Sequence, residues 1–220
     1  MQHQDTGLPC PLCGGVGTAL WHQDSRRDYH RCTACLLVFV PAGFHLDAAA
    51  EKAIYDLHRN DPADMGYQRF LSRLLQPLRE RLSEGARGLD VGCGPGPALA
   101  RMLEQAGHPV ALYDKFYYPD PAPLRQRYDF VCATEVVEHL PDPARVLPQW
   151  FDLLNPGGWL AIMTKRVRDL SAFSRWHYIQ DPTHIGFYSE ETFYWIAQRW
   201  HARLELIGAD VALLQRPKPV

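Results

Sequence analysis

Three groups of residues in this 220-residue chain have the types and spacing that chemistry needs. The first is a pair of C-x2-C knuckles, Cys10/Cys13 and Cys32/Cys35, with 18 residues between them, the spacing of a four-thiolate zinc site. Four cysteines leave no open position, so the site is expected to be closed and structural. A redox dithiol, the alternative, comes as a single C-x-x-C at a helix start. His22 and His30 are the substitute ligands to weigh. The second group is Leu89-Asp90-Val91-Gly92-Cys93-Gly94-Pro95-Gly96-Pro97, which reads as a buried strand end, a glycine turn and a helix start. The third is Glu135-Val-Val-Glu138-His139, joined later in the chain by His177 and His184. Carboxylates and imidazoles in one crevice are the equipment of proton transfer.

The glycine turn narrows the ligand. Counted from Gly92 it runs G-x-G-x-G, not the G-x-G-x-x-G of dinucleotide sites. Asp90 would repel a pyrophosphate but attract a ligand that carries an ammonium and a sulfonium. Asp114 closes the next strand, where an acid can accept hydrogen bonds from both ribose hydroxyls. An acidic residue followed by G-x-G-x-G resembles the first motif of the class I S-adenosylmethionine-dependent methyltransferases. By that resemblance, which covers most of residues 85–215, S-adenosylmethionine is the expected cofactor. Asp90, Gly92, Cys93, Gly94, Gly96, Asp114, Lys115 and Phe116 are its expected neighbours, Phe116 either stacking on adenine or serving as a core aromatic.

The strand Asp129–Thr134 and the Glu135–Leu140 segment resemble the fourth motif of the same family. The resemblance places Glu135 and Val136 beside the transferred methyl group and His139 at its rim, as a base for a hydroxyl, thiol or amine acceptor. The plain alternative is that Glu138 and His139 cap the next helix. The Asn155-Pro-Gly-Gly158 turn also matches. Residues 165–189, with aromatics, arginines, His177 and His184, are the expected acceptor pocket, and His184 resembles the first residue of an H-x-x-F-(F/Y)-S element. His139, His184 and His177 are therefore the candidate catalytic residues. The acceptor is expected to be a small molecule, its reacting atom O, N, S or C left open.

The elements that must position these residues follow from the hydrophobic pattern. We expect a zinc ribbon over 1–45, a helical cap over 46–84 with Tyr55, His58, Tyr67 and Arg69 as candidate contacts, and a methyltransferase domain over 85–220. The fold class is α/β, a Rossmann-like seven-stranded sheet with a small N-terminal ribbon. Between Asp114 and Tyr128 the third strand is absent or short, so no residue is nominated for the adenine amino group. Leu36–Val40 reads as a strand that packs the ribbon onto something. Ser189-Glu-Glu-Thr192 is a capping-box start.

Composition bounds the function classes. A net charge of −2, and −1 within residues 1–48, gives no general pull on nucleic acid, which disfavours that partner without ruling it out. The N-terminus has no basic and apolar leader, and no run of 18 apolar residues occurs, so a cytoplasmic protein without membrane contact is expected. Two other readings stand beside a small-molecule methyltransferase: an RNA or protein methyltransferase whose ribbon docks substrate, and a non-catalytic S-adenosylmethionine-binding protein. Oligomeric state is left open.

Overall fold

A computed structural model describes residues 7–57 and 61–219. The ribbon is a hairpin of β1 (Thr18–Gln23) and β2 (Asp28–Cys32), with β3 (Val38–Phe39) antiparallel to β2. Two helices follow. Asp47 caps α1 (Ala48–Tyr55) by accepting from the amides of Ala49 and Ala50, and Asp64 caps α2 (Met65–Arg79) through the amide of Tyr67. His58 lies outside the described residues. On α2 the spacing i, i+3, i+4, i+7 brings Leu71, Leu74, Leu75 and Leu78 to one buried face. Burial of each such leucine stabilises by roughly 1.5–3 kcal/mol.

The main domain then alternates: β4 (Gly88–Val91), α3 (Ala98–Gln105), β5 (Val110–Tyr113), β6 (Tyr128–Thr134), α4 (Pro143–Asp152), β7 (Leu154–Met163), the short α5 (Leu170–Phe173), β8 (Gly186–Phe187), α6 (Glu190–Trp200), β9 (Arg203–Ile207) and β10 (Val211–Gln215). Its sheet has the order β5-β4-β6-β7-β10-β9, parallel from β5 to β7, with β10 antiparallel to both of its neighbours. Six strands are thus present among the described residues, not the seven expected. Prolines 119, 121 and 123 explain the missing one, because each removes a ladder donor. In its place stand an isolated bridge, Asp114 to Tyr118, and a 3-10 turn over Ala122–Arg125.

Side chains alternate across this sheet with the period of a strand. Phe130 and Cys132 of β6 face α2 and α3, together with Trp159, Ala161 and Met163 of β7. Val131 and Ala133 face the other way, toward Leu147 and Trp150 of α4 and Phe193 and Ile196 of α6. Ser189 and Thr192 form the expected capping box at the start of α6.

The ribbon does not end with its own residues. Val38 and Phe39 pair with Phe187 and Gly186, so β8 is the fourth strand of the ribbon sheet. Tyr29, Val38 and Val40 pack with Val167, Phe173, Tyr178, Ile179, Ile185 and Phe187 in one apolar cluster. The surface onto which Leu36–Val40 packs the ribbon is therefore the segment that follows β7.

Candidate functional site

Because β5, β4, β6 and β7 run parallel, their C-terminal residues share one edge of the sheet, where ligands bind in open α/β folds. Two groups of functional side chains meet there.

The first is built on the glycine turn. Gly92 and Gly94 take φ of +68° and +64°, a region that any Cβ would strain. At Gly92 an added Cβ would also lie 2.6 Å from Cγ2 of Val136. The Gly94 amide donates to Oδ2 of Asp114 (3.0 Å), and Oδ1 of Asp114 accepts from the amides of Phe116 (2.8 Å) and Tyr117 (3.1 Å). Asp114 thus pins its own loop beside the turn. Asp90 is 2% exposed, and its Oδ1 has no hydrogen-bond partner among the described residues. Burial pushes its carboxyl up to about 7, the charge of Asp114 adds to the rise, and a bond from the Ala100 amide opposes it. Burial also pushes the Cys93 thiol up, with Asp90 and Asp114 adding to it. An unpartnered buried carboxylate beside a second acid fits a cationic ligand, because a positive charge relieves both penalties.

Residues of α1 and just past it touch the loop that follows Asp114. Lys115 Nζ reaches Oε2 of Glu51 on α1 (2.7 Å), the Tyr117 hydroxyl donates to Oδ1 of Asp56 (2.7 Å), and the Phe116 ring sits 6.0 Å from that of Tyr55. Tyr67 of α2 is raised to about 12 by burial and by the charges of Asp90 and Glu135. Arg69 is exposed.

The second group closes on the end of β6. Glu135 has φ of +53°, a left-handed backbone uncommon for a non-glycine residue and frequent at functional sites. The Tyr178 hydroxyl lies 3.2 Å from Oε2 of Glu135, 3.2 Å from Oγ1 of Thr164, and in short contact with Oε1 of Glu138. Oε1 of Glu135 and Oε2 of Glu138 are buried with no partner among the described residues. Burial raises Glu135 to about 7, against the pull of Tyr178 and Lys165, and raises Glu138 to about 8 with help from the charge of Glu135. His139 Nδ1 faces the Thr183 carbonyl (3.0 Å) and His184 Nδ1 faces the Tyr178 carbonyl (2.8 Å). A carbonyl only accepts, so both rings carry a proton on Nδ1, which leaves Nε2 of His139 as an acceptor, while Nε2 of His184 lies 3.8 Å from Oδ2 of Asp181. The two rings are 4.7 Å apart, and that of Tyr55 is 5.3 Å from His139. Burial, then His184, pushes His139 down to about 3, so it stays neutral.

The three candidate histidines therefore differ in standing. His139 and His184 come together; His177 is exposed, with Nε2 2.8 Å from Lys165 Nζ. Capping is no part of the task of Glu138 and His139, since Asp142 caps α4 through the Arg145 amide. Tyr178, Thr164 and the Thr183 carbonyl belong to the site but were not marked by spacing. The only sequence signal for them was the aromatic-rich stretch in which Tyr178 stands.

Two side-chain sets have metal-ligand geometry. The Sγ atoms of Cys10, Cys13, Cys32 and Cys35 all lie within 4.8 Å of one another, and amides of Gly15 and Ala34 donate to two of them (both 3.4 Å). Four soft donors with amide support fit a tetrahedral zinc ion. Neither His22 nor His30 joins this set. The second set is Glu138, His139 and His184, whose ligand atoms meet the same limit.

Comparison with known proteins agrees with this geometry. A methyltransferase-domain family profile matches residues 64–202. The chain therefore belongs to that family, the S-adenosylmethionine-dependent methyltransferases, here with an N-terminal cysteine cluster that fits a zinc ribbon. Among curated relatives, a ubiquinone biosynthesis O-methyltransferase of Xylella fastidiosa is 28% identical over 145 residues, 53% of each chain. This chain thus spans about half the length of the curated relatives it matches. Among solved structures, a methyltransferase from Archaeoglobus fulgidus has a TM-score of 0.52 at 17% identity, covering 68% of this chain and 94% of that one. An O-methyltransferase family protein from Burkholderia thailandensis has a TM-score of 0.50 at 16% identity, with 80% and 62% covered. These likenesses bear out the α/β methyltransferase fold. No described helix is long and apolar enough to cross a membrane.

Proposed function

We propose that the chain transfers a methyl group from S-adenosylmethionine to the hydroxyl of a small-molecule acceptor. The observation that carries this reading is the juxtaposition, on one sheet edge, of the glycine turn with its two acids and the buried Glu135–Glu138–His139–His184 cluster. The printed names of the curated relatives support oxygen as the accepting atom.

The cofactor supplies an electrophilic methyl on a positively charged sulfur. Asp90, the Gly92–Gly94 backbone, Asp114 and Phe116 hold it, with Gly96, Cys93, Lys115 and Val136 alongside. The chain's own task is then to seat the acceptor in line with the methyl and to remove its proton, gaining rate mainly from orientation and exclusion of water. His139 offers an Nε2 lone pair to the acceptor hydroxyl. With its affinity for a proton so reduced, it orients better than it deprotonates. Glu135, titrating near 7, is matched to take the proton at neutral pH. His184, held by the Tyr178 carbonyl, packs against His139 and keeps it in place. His177, outside the cluster, has no step in this scheme.

A second reading has one observation in its favour. Glu138, His139 and His184 bring three ligand atoms within 4.8 Å of one another, and a divalent cation held there would lower the pKa of a bound hydroxyl. Docking of RNA through the ribbon is the weaker idea. Its arginines are spent internally, Arg26 and Arg27 on backbone carbonyls and Arg31 over the Trp21 ring (5.3 Å). Labelled methyl transfer to 3,4-dihydroxybenzoate and related phenols tests the proposal, run with and without chelator. His139→Ala and His184→Ala should each lower turnover by about 10²-fold through lost orientation of the acceptor, while cofactor affinity holds. Unchanged turnover in both variants would remove these residues from the chemistry.

A further inference from the structure

Arg27 is the least ordinary residue of the ribbon. It sits at the end of the hairpin tip, yet it is 5% exposed. Its guanidinium donates to three backbone carbonyls far along the chain: Nη1 to Pro182 (3.0 Å), and Nη2 to Ile179 (2.8 Å) and Asp181 (2.7 Å). Nε donates to the Tyr29 hydroxyl (3.0 Å), whose oxygen lies 3.2 Å from the Ile179 carbonyl. Arg26 adds a bond to the Gln180 carbonyl (3.0 Å). These carbonyls belong to the end of the 3-10 turn His177–Gln180 and the residues just past it, where helix geometry leaves acceptors without partners. A planar fork with five donors can satisfy them together, which a single ammonium cannot.

The clamped stretch carries the acceptor side of the crevice. Tyr178, at the start of the stretch, donates to the Glu135–Glu138 pair, and its carbonyl holds His184. Thr183, at its end, holds His139 through its carbonyl. Ile185 then donates to the Glu138 carbonyl (2.8 Å) and its own carbonyl accepts from Val40 of the ribbon (2.9 Å). The ribbon therefore grips residues 178–187 at both ends, by the Arg27 fork and by the β3–β8 pairing.

From this geometry we infer that the ribbon is a positioning element of the acceptor site, acting through Arg27. This inference rests on the functional reading above only for where the reacting atoms lie. Arg27 touches neither cofactor nor acceptor; it fixes the segment that sets the orientation of His139, His184 and Tyr178. Apart from any role of its cysteines in stability, the ribbon thus shapes the methyl-transfer pocket itself.

The test uses the full chain and two variants, Arg27→Met and Arg27→Lys. Metal content and calorimetric affinity for S-adenosylhomocysteine should stay at wild-type values in both. Histidine nitrogen NMR should show His139 and His184 as single Nδ1-protonated tautomers in the wild type. In Arg27→Met those signals should average between tautomers, and kcat for methyl transfer to 3,4-dihydroxybenzoate should fall by about tenfold or more. Arg27→Lys should fall between. Wild-type tautomers and wild-type kcat in Arg27→Met would overturn the inference. If Arg27→Met fails to fold, a fully wild-type Arg27→Lys overturns it as well, because the fork is then dispensable. A wild type that methylates no phenol counts against the functional reading, and the NMR arm then decides the role of Arg27 alone.

Discussion

Asp90 ties donor binding to pH. In the ligand-free fold its carboxyl is raised to about 7, first by burial and then by Asp114. Near neutrality it is therefore half protonated and half charged. A donor with an ammonium and a sulfonium prefers the carboxylate, so binding should pull a proton off Asp90, and affinity should fall as pH falls through 7. With a free-state value of 7 and a bound-state value well below 6, the protonated fraction weakens apparent affinity about fivefold between pH 7 and pH 6, or about 1 kcal/mol. That window also keeps the donor's own α-ammonium protonated. Titration calorimetry at the two pH values, in buffers of different ionisation enthalpy, reads both the affinity and the proton released. Asp90→Asn should bind weakly with no slope, and Glu135→Gln should separate any share from the second raised carboxyl. An affinity that is flat from pH 6 to 7, or a slope that survives in Asp90→Asn, would refute the reasoning. The same group has a stability signature of the opposite sense. Its folded value lies above the unfolded one, so its burial costs stability as pH rises, and Asp90→Asn should unfold at a higher temperature than wild type at pH 8.

Two further outcomes follow from the geometry. Gly92→Ala places a Cβ at φ of +68° and 2.6 Å from Val136, so denaturant unfolding should show a loss of about 1–3 kcal/mol, with donor binding abolished. One zinc ion per chain should be found by elemental analysis, and Cys32→Ser should lose it, lower the melting temperature and expose residues 36–45 to protease. A protein that retains its melting temperature on complete metal removal would show that the cluster does not stabilise the fold.

Much of the sheet was legible because its signals are local. The Asp90–Pro97 turn and the Ser189 box depend on residues within a few positions of each other, and each stands where the pattern put it. The four cysteines were equally plain, since ligand spacing is itself the signal. The seventh strand was a matter of counting to a family pattern, and the prolines at 119, 121 and 123 defeated it. What stayed hidden depends on long-range geometry. No spacing rule says that Gly186–Phe187 completes the ribbon, that Arg27 reaches Asp181, or that Tyr178 lands between two carboxyls. The histidines show the same limit: type and position made His139, His184 and His177 look alike, and only packing separates the enclosed pair from the solvent-facing third.

The pairing of Phe39 with Gly186 also sets an order of assembly. During synthesis the cysteine module leaves the ribosome before β8 and can capture its ion early, but the outer edge of its sheet waits until residues 186–187 have emerged. Until then Val38 and Phe39 offer an unsatisfied apolar edge to any passing strand. Refolding from denaturant should accordingly end with a slow docking phase, the tariff of so distant a partnership.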